Sequence, residues 1–196
     1  MTEIETIESG LLQRCGDNRA AFLRLTAQVI REAVLHVLDG AGSFDELEGC
    51  EKTTFGIKFE KRFLRALALP QKVSKKNNPH KLALDTQVAG LPLDIKTTLG
   101  GSTWMIPREC LGHHCLVLRV DWRRERFRVG LVKTDVETVT KGKNQDKKHS
   151  LSKAGKQAIH WIGPDQSYAA PIVIQPSVRL RRPTTYSRRC YARLVA

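Results

Sequence analysis

The chain has no apolar run long enough to cross a bilayer, and its N-terminus, MTEIETIESG, is acidic and polar instead of basic and then hydrophobic. Neither a membrane span nor a secretory leader is therefore expected. Cysteine is sparse and odd in number. Cys15, Cys50, Cys110, Cys115 and Cys190 are scattered along the chain, which does not resemble a disulfide framework and fits a reducing cytosol. Internal repeats are absent, and no low-complexity segment exceeds the basic loops, so a solenoid or fibrous architecture is not expected. Acidic side chains are in short supply: 20 Asp+Glu stand against 33 Lys+Arg, for a formal charge of +13 and a pI near 9.9. At 196 residues and 41% hydrophobic, the chain can bury one sizeable core.

The basic excess is uneven. Residues 1–50 hold 4 basic and 9 acidic side chains, whereas residues 51–196 hold 29 basic and 11 acidic. A basic body of this kind implies a polyanionic partner, with nucleic acid ahead of an acidic membrane surface. Charge alone does not separate DNA from RNA, or a binding protein from an enzyme.

Apolar periodicity predicts a helix from Asn18 to Asp39, where Phe22, Leu25, Val29, Ala33 and Val37 recur at three- and four-residue steps, with Asp17 or Asn18 as cap. A second helix is expected from Thr54 to Leu69, stopped by Pro70, with Ile57, Phe63, Leu64 and Leu67 on its apolar face. Glu60 then falls within that stripe, and an inward carboxylate needs a partner or a metal. Strands are expected at Leu82–Val88, Leu91–Thr98, Leu116–Trp122, Phe127–Val132 and Ile172–Gln175, with a charged turn at Arg123–Arg126, a short helical or turn segment at Arg108–Gly112 and a short helix at Ala154–Trp161. The fold class is α/β (α+β), a central mixed sheet flanked by helices. We expect one domain over 1–196: an N-terminal helical segment (1–50), a catalytic core (53–161) and a basic C-terminal tail (162–196).

The run LALDTQVAGLPLDIKTT carries the chemistry. A turn at Ala89-Gly90 folds two strands into a hairpin, which brings Asp85 beside Asp94. Alternation puts Asp94 and Lys96 on one face and Leu93 and Ile95 on the other. Two carboxylates and an ammonium at one point are the minimal set for a hard divalent cation and a water nucleophile. The carbonyl of Ile95 offers a further oxygen, and Glu60 an outer ligand. Cys110, His113, His114 and Cys115 also cluster in CLGHHC, but no CxxC pair completes a finger. Cys115 also opens an apolar run where a buried thiol is ordinary, so zinc is not expected there.

With these residues, the chain resembles the PD-(D/E)xK nucleases, and more specifically the endonuclease domain of the NaeI family of restriction enzymes. The likeness rests on Asp85, the eight-residue gap, Asp94-Ile95-Lys96 and the continuation Gly101-Ser102-Thr103-Trp104-Met105-Ile106-Pro107-Arg108-Glu109. It extends through His114–Leu118, Phe127–Val132 and Asn144–Lys148, and covers roughly Thr53 to Trp161. The resemblance implies a restriction-endonuclease-like fold and a homodimeric type II enzyme. Such an enzyme is Mg2+-dependent, with Mn2+ able to substitute, and cuts double-stranded DNA at a short palindrome beside a cognate DNA methyltransferase. It maps the active site onto Glu60, Asp85, Asp94 and Lys96, with metal held by Asp85, Asp94 and Ile95. The loop Gln71–Lys81 makes the gap before Asp85 longer than the family pattern, so Glu60 is placed by its helix alone. A second DNA-binding domain like that of the larger relatives is not expected within these 196 residues.

For DNA contact the sequence offers Lys72, Lys75, Lys76 and the tail arginines Arg179, Arg181, Arg182, Arg188 and Arg189 as phosphate partners. Ser102 and Thr103 follow the hairpin. The loop Lys141, Lys143, Asn144, Gln145, Asp146, Lys147, Lys148 and His149 has the donors and acceptors that read base edges. Two other functions share these features: a nicking nuclease similar to the mismatch-repair enzyme MutH, and a non-catalytic nucleic-acid-binding protein.

Overall fold

The computed structural model describes residues 1–39, 44–72, 82–140 and 149–169, with the side chains of Cys50 and Glu51 left aside. The expected strand at Ile172–Gln175 and the Arg-rich tail lie outside the described residues.

Three helices open the chain. The first, α1 (Glu3–Gln13), was not anticipated by the periodicity analysis. It forms because Thr2 and Glu5 close a capping box, and because Ile7 and Leu11, four residues apart, are fully buried. The second, α2 (Arg19–Val37), starts where expected: the Asn18 side chain accepts the Ala21 N–H at 2.9 Å. The third, α3 (Gly49–Ala66), begins five residues earlier than expected. It ends before Pro70, at a turn in which Ala68 takes a φ of 50° and the Leu69 N–H returns to the Leu64 carbonyl at 2.9 Å.

The apolar stripe of α3 differs in part from the expected one. Phe55, Phe59 and Phe63 are fully buried, Phe59 stacks on Phe63 at 5.2 Å, and Ile57 is 48% exposed. Phe63, Leu64 and Leu67 are buried as expected, and the stripe continues through Phe55 and Phe59 in place of Ile57. Glu60 lies on its flank and not within it. Aromatic rings at four-residue steps set the buried face, because each removes more apolar surface from water than isoleucine does.

The hairpin forms with a tighter first arm than expected. Ala89 and Gly90 take φ values of 49° and 80°, the left-handed pair that a two-residue hairpin turn requires. They join β1 (Thr86–Val88) to β2 (Leu91–Leu99), in the register Thr86↔Leu93. β2 pairs in parallel with β4 (His114–Asp121). β4 pairs antiparallel with β5 (Arg126–Lys133), and β5 pairs with β7 (His160–Trp161) and β8 (Gln166–Ser167). Between β2 and β4 the chain crosses through β3 (Met105–Ile106) and a 3-10 turn (Arg108–Cys110); β3 pairs with β6 (His149–Ser150). The expected helix at Ala154–Trp161 is α4 (Lys153–Gln157) followed by β7.

Alternation then sorts the strands. Leu93, Ile95, Leu116, Leu118, Val129 and Leu131 face the helical layer. Cys115, Val117 and Val132 face a smaller cluster built on Trp104, Ile106 and Cys110, in which the Trp104 indole N–H donates to the Leu118 carbonyl at 3.1 Å. Among the described residues no helix is long and apolar enough to cross a membrane.

Candidate functional site

The three-residue length of β1 decides where a site can form. Its pairing with β2 ends at Leu93, so among the described residues the outer edge of β2 is open from Asp94 onward. α3 lies along that edge, and it can do so because position 56 is glycine: a Cβ there would come within 2.7 Å of Thr97 Oγ1. The result is a cleft of about 470 Å³, walled by Lys52, Thr53, Gly56, Ile57 and Glu60 on α3 and by Lys96, Thr97, Thr98, Thr103 and Met105 opposite.

Asp85, Asp94, Lys96 and Glu60 come together beside this cleft, which Glu60 and Lys96 line. Asp85 sits just before β1, one register step beyond the Thr86↔Leu93 pair, and so lies opposite Asp94. Its Oδ2 accepts the Ile95 N–H at 3.0 Å. A strand residue directs its N–H and C=O to the same side, so the Ile95 carbonyl also faces the open edge. Burial first, then the neighbouring Asp94 and Glu60, push the Asp85 carboxyl up to about 8. Glu60 is half-buried; burial raises its pKa, Lys96 opposes the rise and Asp94 adds to it. Burial disfavours the Lys96 ammonium, but its ion pair with Asp94 and the nearby Asp85 outweigh that and hold it above the ordinary lysine value. Three carboxyl groups thus crowd one ammonium in a partly dry cleft, and the upward shifts of Asp85 and Glu60 mark a shortage of positive charge there. Oxygen donors with uncompensated negative charge are the donor chemistry of a hard divalent cation, so the residues fit such an ion.

Asp94 has a further neighbour. Cys110, in the 3-10 turn, donates its thiol to Asp94 Oδ2 at 2.9 Å, and its pKa is raised by Cys115, burial and Asp94. The CLGHHC cluster therefore divides. Cys115 and His114 are adjacent in β4 and point to opposite faces. His114 is buried toward α1, with Nε2 3.6 Å from Glu3 Oε2, while Cys110 and Cys115 gather beside Asp94.

The expected DNA-contacting residues are only partly in view. Ser102 and Thr103 are exposed, and Thr103 lines the cleft. Lys72 is exposed, with its ammonium on the Ala83 carbonyl at 2.7 Å. His149 starts β6 and donates from Nδ1 to the Thr140 carbonyl at 2.6 Å, while the Thr140 N–H bonds Ser150 O at 2.8 Å. Ser150 in turn pairs with the cleft residue Met105. Lys75, Lys76, Lys141, Lys143, Asn144, Gln145, Asp146, Lys147 and Lys148 lie outside the described residues, as do the tail arginines.

Sequence reasoning passed over a row of arginines. By register, Thr98, Arg119 and Arg128 are neighbours across β2, β4 and β5, on the face that also carries Asp94 and Lys96. Arg119, Arg124, Arg126 and Arg128 line one small concavity. Arg126 is paired with Asp165 at 2.8 Å, and Arg128 lies 4.1 Å over the Trp161 ring, its Nε buried without a partner among the described residues. Like charges opposite each other across strands are destabilising, which makes the Arg119↔Arg128 pair informative. In the sequence these residues read only as strand positions and a charged turn; the row exists only once the register is known.

A mixed sheet with a helical layer and a carboxylate–lysine cleft at its open edge is an α+β architecture of the restriction-endonuclease-like class. Residues 23–177 match the family of the restriction endonuclease NaeI, and the chain belongs to that family. Over 144 residues it is 28% identical to the type II restriction enzyme NaeI of Lentzea aerocolonigenes, covering 71% of this chain and 42% of that relative. The chain thus spans about two fifths of the relative's length.

Proposed function

We propose that the chain is a type II restriction endonuclease that hydrolyses phosphodiester bonds of double-stranded DNA at a short palindromic sequence, with magnesium as its ion and manganese able to substitute. The observation that carries this reading is the meeting of Asp85, Asp94, Lys96 and Glu60 beside the cleft between α3 and the open edge of β2. Membership of the NaeI family supports it. In this reading residues 1–196 form one endonuclease domain. It acts as a homodimer, whose two-fold symmetry matches a palindrome, in a prokaryotic cytoplasm alongside a methyltransferase that protects the host site.

Asp85, Asp94 and the Ile95 carbonyl would hold the ion. When bound, the ion lowers the pKa of a water and neutralises charge on the phosphate. Lys96 keeps its proton, because Asp94 and Asp85 favour the ammonium. It therefore serves as a charged donor to the phosphate oxygens in the transition state and not as the base. Glu60 accepts from a water on the α3 wall of the cleft. Thr103 and the Arg119–Arg128 row receive the flanking phosphates, and the polar side chains of residues 141–149 read base edges in the groove.

Digestion of mixed-sequence phage DNA with the purified chain and magnesium tests the reading. Discrete fragments that disappear with EDTA, and whose mapped ends share one palindrome, are expected. Nicked circles alone from plasmid DNA would favour a strand-nicking enzyme, and intact DNA with a salt-sensitive gel shift would favour a binding protein.

A further inference from the structure

The two thiols beside Asp94 have no part in that mechanism. Cys115 neighbours Asp94 across the parallel β2–β4 ladder, and Cys110 reaches it from the 3-10 turn, with Sγ 2.9 Å from Oδ2. The carboxylate oxygen and both sulfurs are buried and lie within 4.8 Å of one another. A tetrahedral zinc site has bonds of about 2.0–2.3 Å, which sets its donors about 3.3–3.8 Å apart, so closure around an ion requires shifts of about 1 Å or less. The charge is also balanced. A carboxylate and two thiolates would face a divalent ion and the ammonium of Lys96, which is already paired with Asp94. Thiolates select soft or borderline ions; magnesium, a hard ion, does not use them.

We infer that Asp94, Cys110 and Cys115 form a binding site for a thiophilic divalent ion such as zinc or cadmium, and that filling it withdraws Asp94 from hydrolysis. Each thiol gives its proton to solvent as its sulfur–metal bond forms, and no oxidation state changes. The site takes three protein ligands and leaves a fourth position open. His114 is not among the ligands, since it lies on the opposite face of the sheet, and His113 is outside the cluster. The second half of the inference rests on the proposed nuclease reading; the first half does not.

The test uses the full chain, reduced and stripped of metal, in a background carrying Cys15→Ser, Cys50→Ser and Cys190→Ser. Cadmium is titrated while the ultraviolet sulfur-to-metal charge-transfer band is recorded. The band should saturate at one ion per chain and vanish in both Cys110→Ser and Cys115→Ser. Asp94→Asn, which keeps both thiols, should bind cadmium about tenfold more weakly. If Cys115→Ser does not fold, Cys110→Ser and Asp94→Asn decide the matter. Cadmium should also stop magnesium-driven cleavage in the background protein but not in Cys110→Ser, each compared with its own cadmium-free rate. No band in the background protein, or a band that survives Cys110→Ser, overturns the site. A band with undiminished cleavage overturns the withdrawal of Asp94. A band in a protein that never cleaves DNA leaves the ion site standing and counts against the nuclease reading instead.

Discussion

The carboxyl of Asp85 holds its proton near neutral pH because burial, Asp94 and Glu60 all disfavour its charge. The folded chain therefore binds that proton more tightly than the unfolded chain, in which the group titrates near 3.8. Stability of the metal-free protein should fall as pH rises from about 4 to about 8 through this group, since the native state binds the extra proton. Asp85→Asn keeps an oxygen for the Ile95 N–H and removes the charge. It should raise metal-free stability at pH 8 by about 1–2 kcal/mol in urea unfolding while abolishing cleavage. A variant no more stable than the parent would remove the crowding argument. Asp85, Asp94 and Lys96 were legible in the sequence because a tight turn and a period of two fix their meeting. The Cys110 contact was not, since it depends on where a crossover of fourteen residues after β2 returns the chain.

Among the elements, α3 was found in the sequence with Phe63, Leu64 and Leu67 inward as expected and Ile57 misplaced. The reading used Ile57, whereas the fold buries Phe55 and Phe59. Phe59→Ala should cost about 3–5 kcal/mol in unfolding, and Ile57→Ala should stay within about 0.5 kcal/mol. Comparable losses at the two positions would return Ile57 to the buried face. α3 and β2 also meet at Gly56. Gly56→Ala would place a Cβ 2.7 Å from Thr97 Oγ1 and narrow the cleft, so cleavage should drop. Thr97→Ala in the same chain should restore it, and a double-mutant cycle in cleavage rate should be strongly non-additive. The helix α1 escaped notice because its acidic first turn reads as polar chain. Its signal, Thr2 three residues before Glu5 with Ile7 and Leu11 beyond, is a capping box followed by two buried steps.

At the scale of the whole molecule, the basic excess points to a polyanion but not to its path. Composition gave the sign of the charge, and periodicity gave the strands. Only the pairing of β2, β4 and β5 sets Arg119 and Arg128 in line with Thr98, on the face that bears Asp94 and Lys96. Replacing both arginines with glutamine should weaken DNA binding equally for all sequences. It should also reduce the slope of log affinity against log salt by about 2, since each phosphate contact contributes about 0.9. An unchanged slope would show that DNA runs elsewhere.

The claim on which the rest depends is that Lys96 belongs to a hydrolytic centre. The most direct measurement compares the parent chain with Lys96→Ala on one DNA containing a mapped cut site, scoring cleavage and gel shift in the same preparation. Loss of a charged donor to the phosphate should lower the cleavage rate at least about 100-fold while the gel shift in magnesium persists. Undiminished cutting by Lys96→Ala would contradict the account.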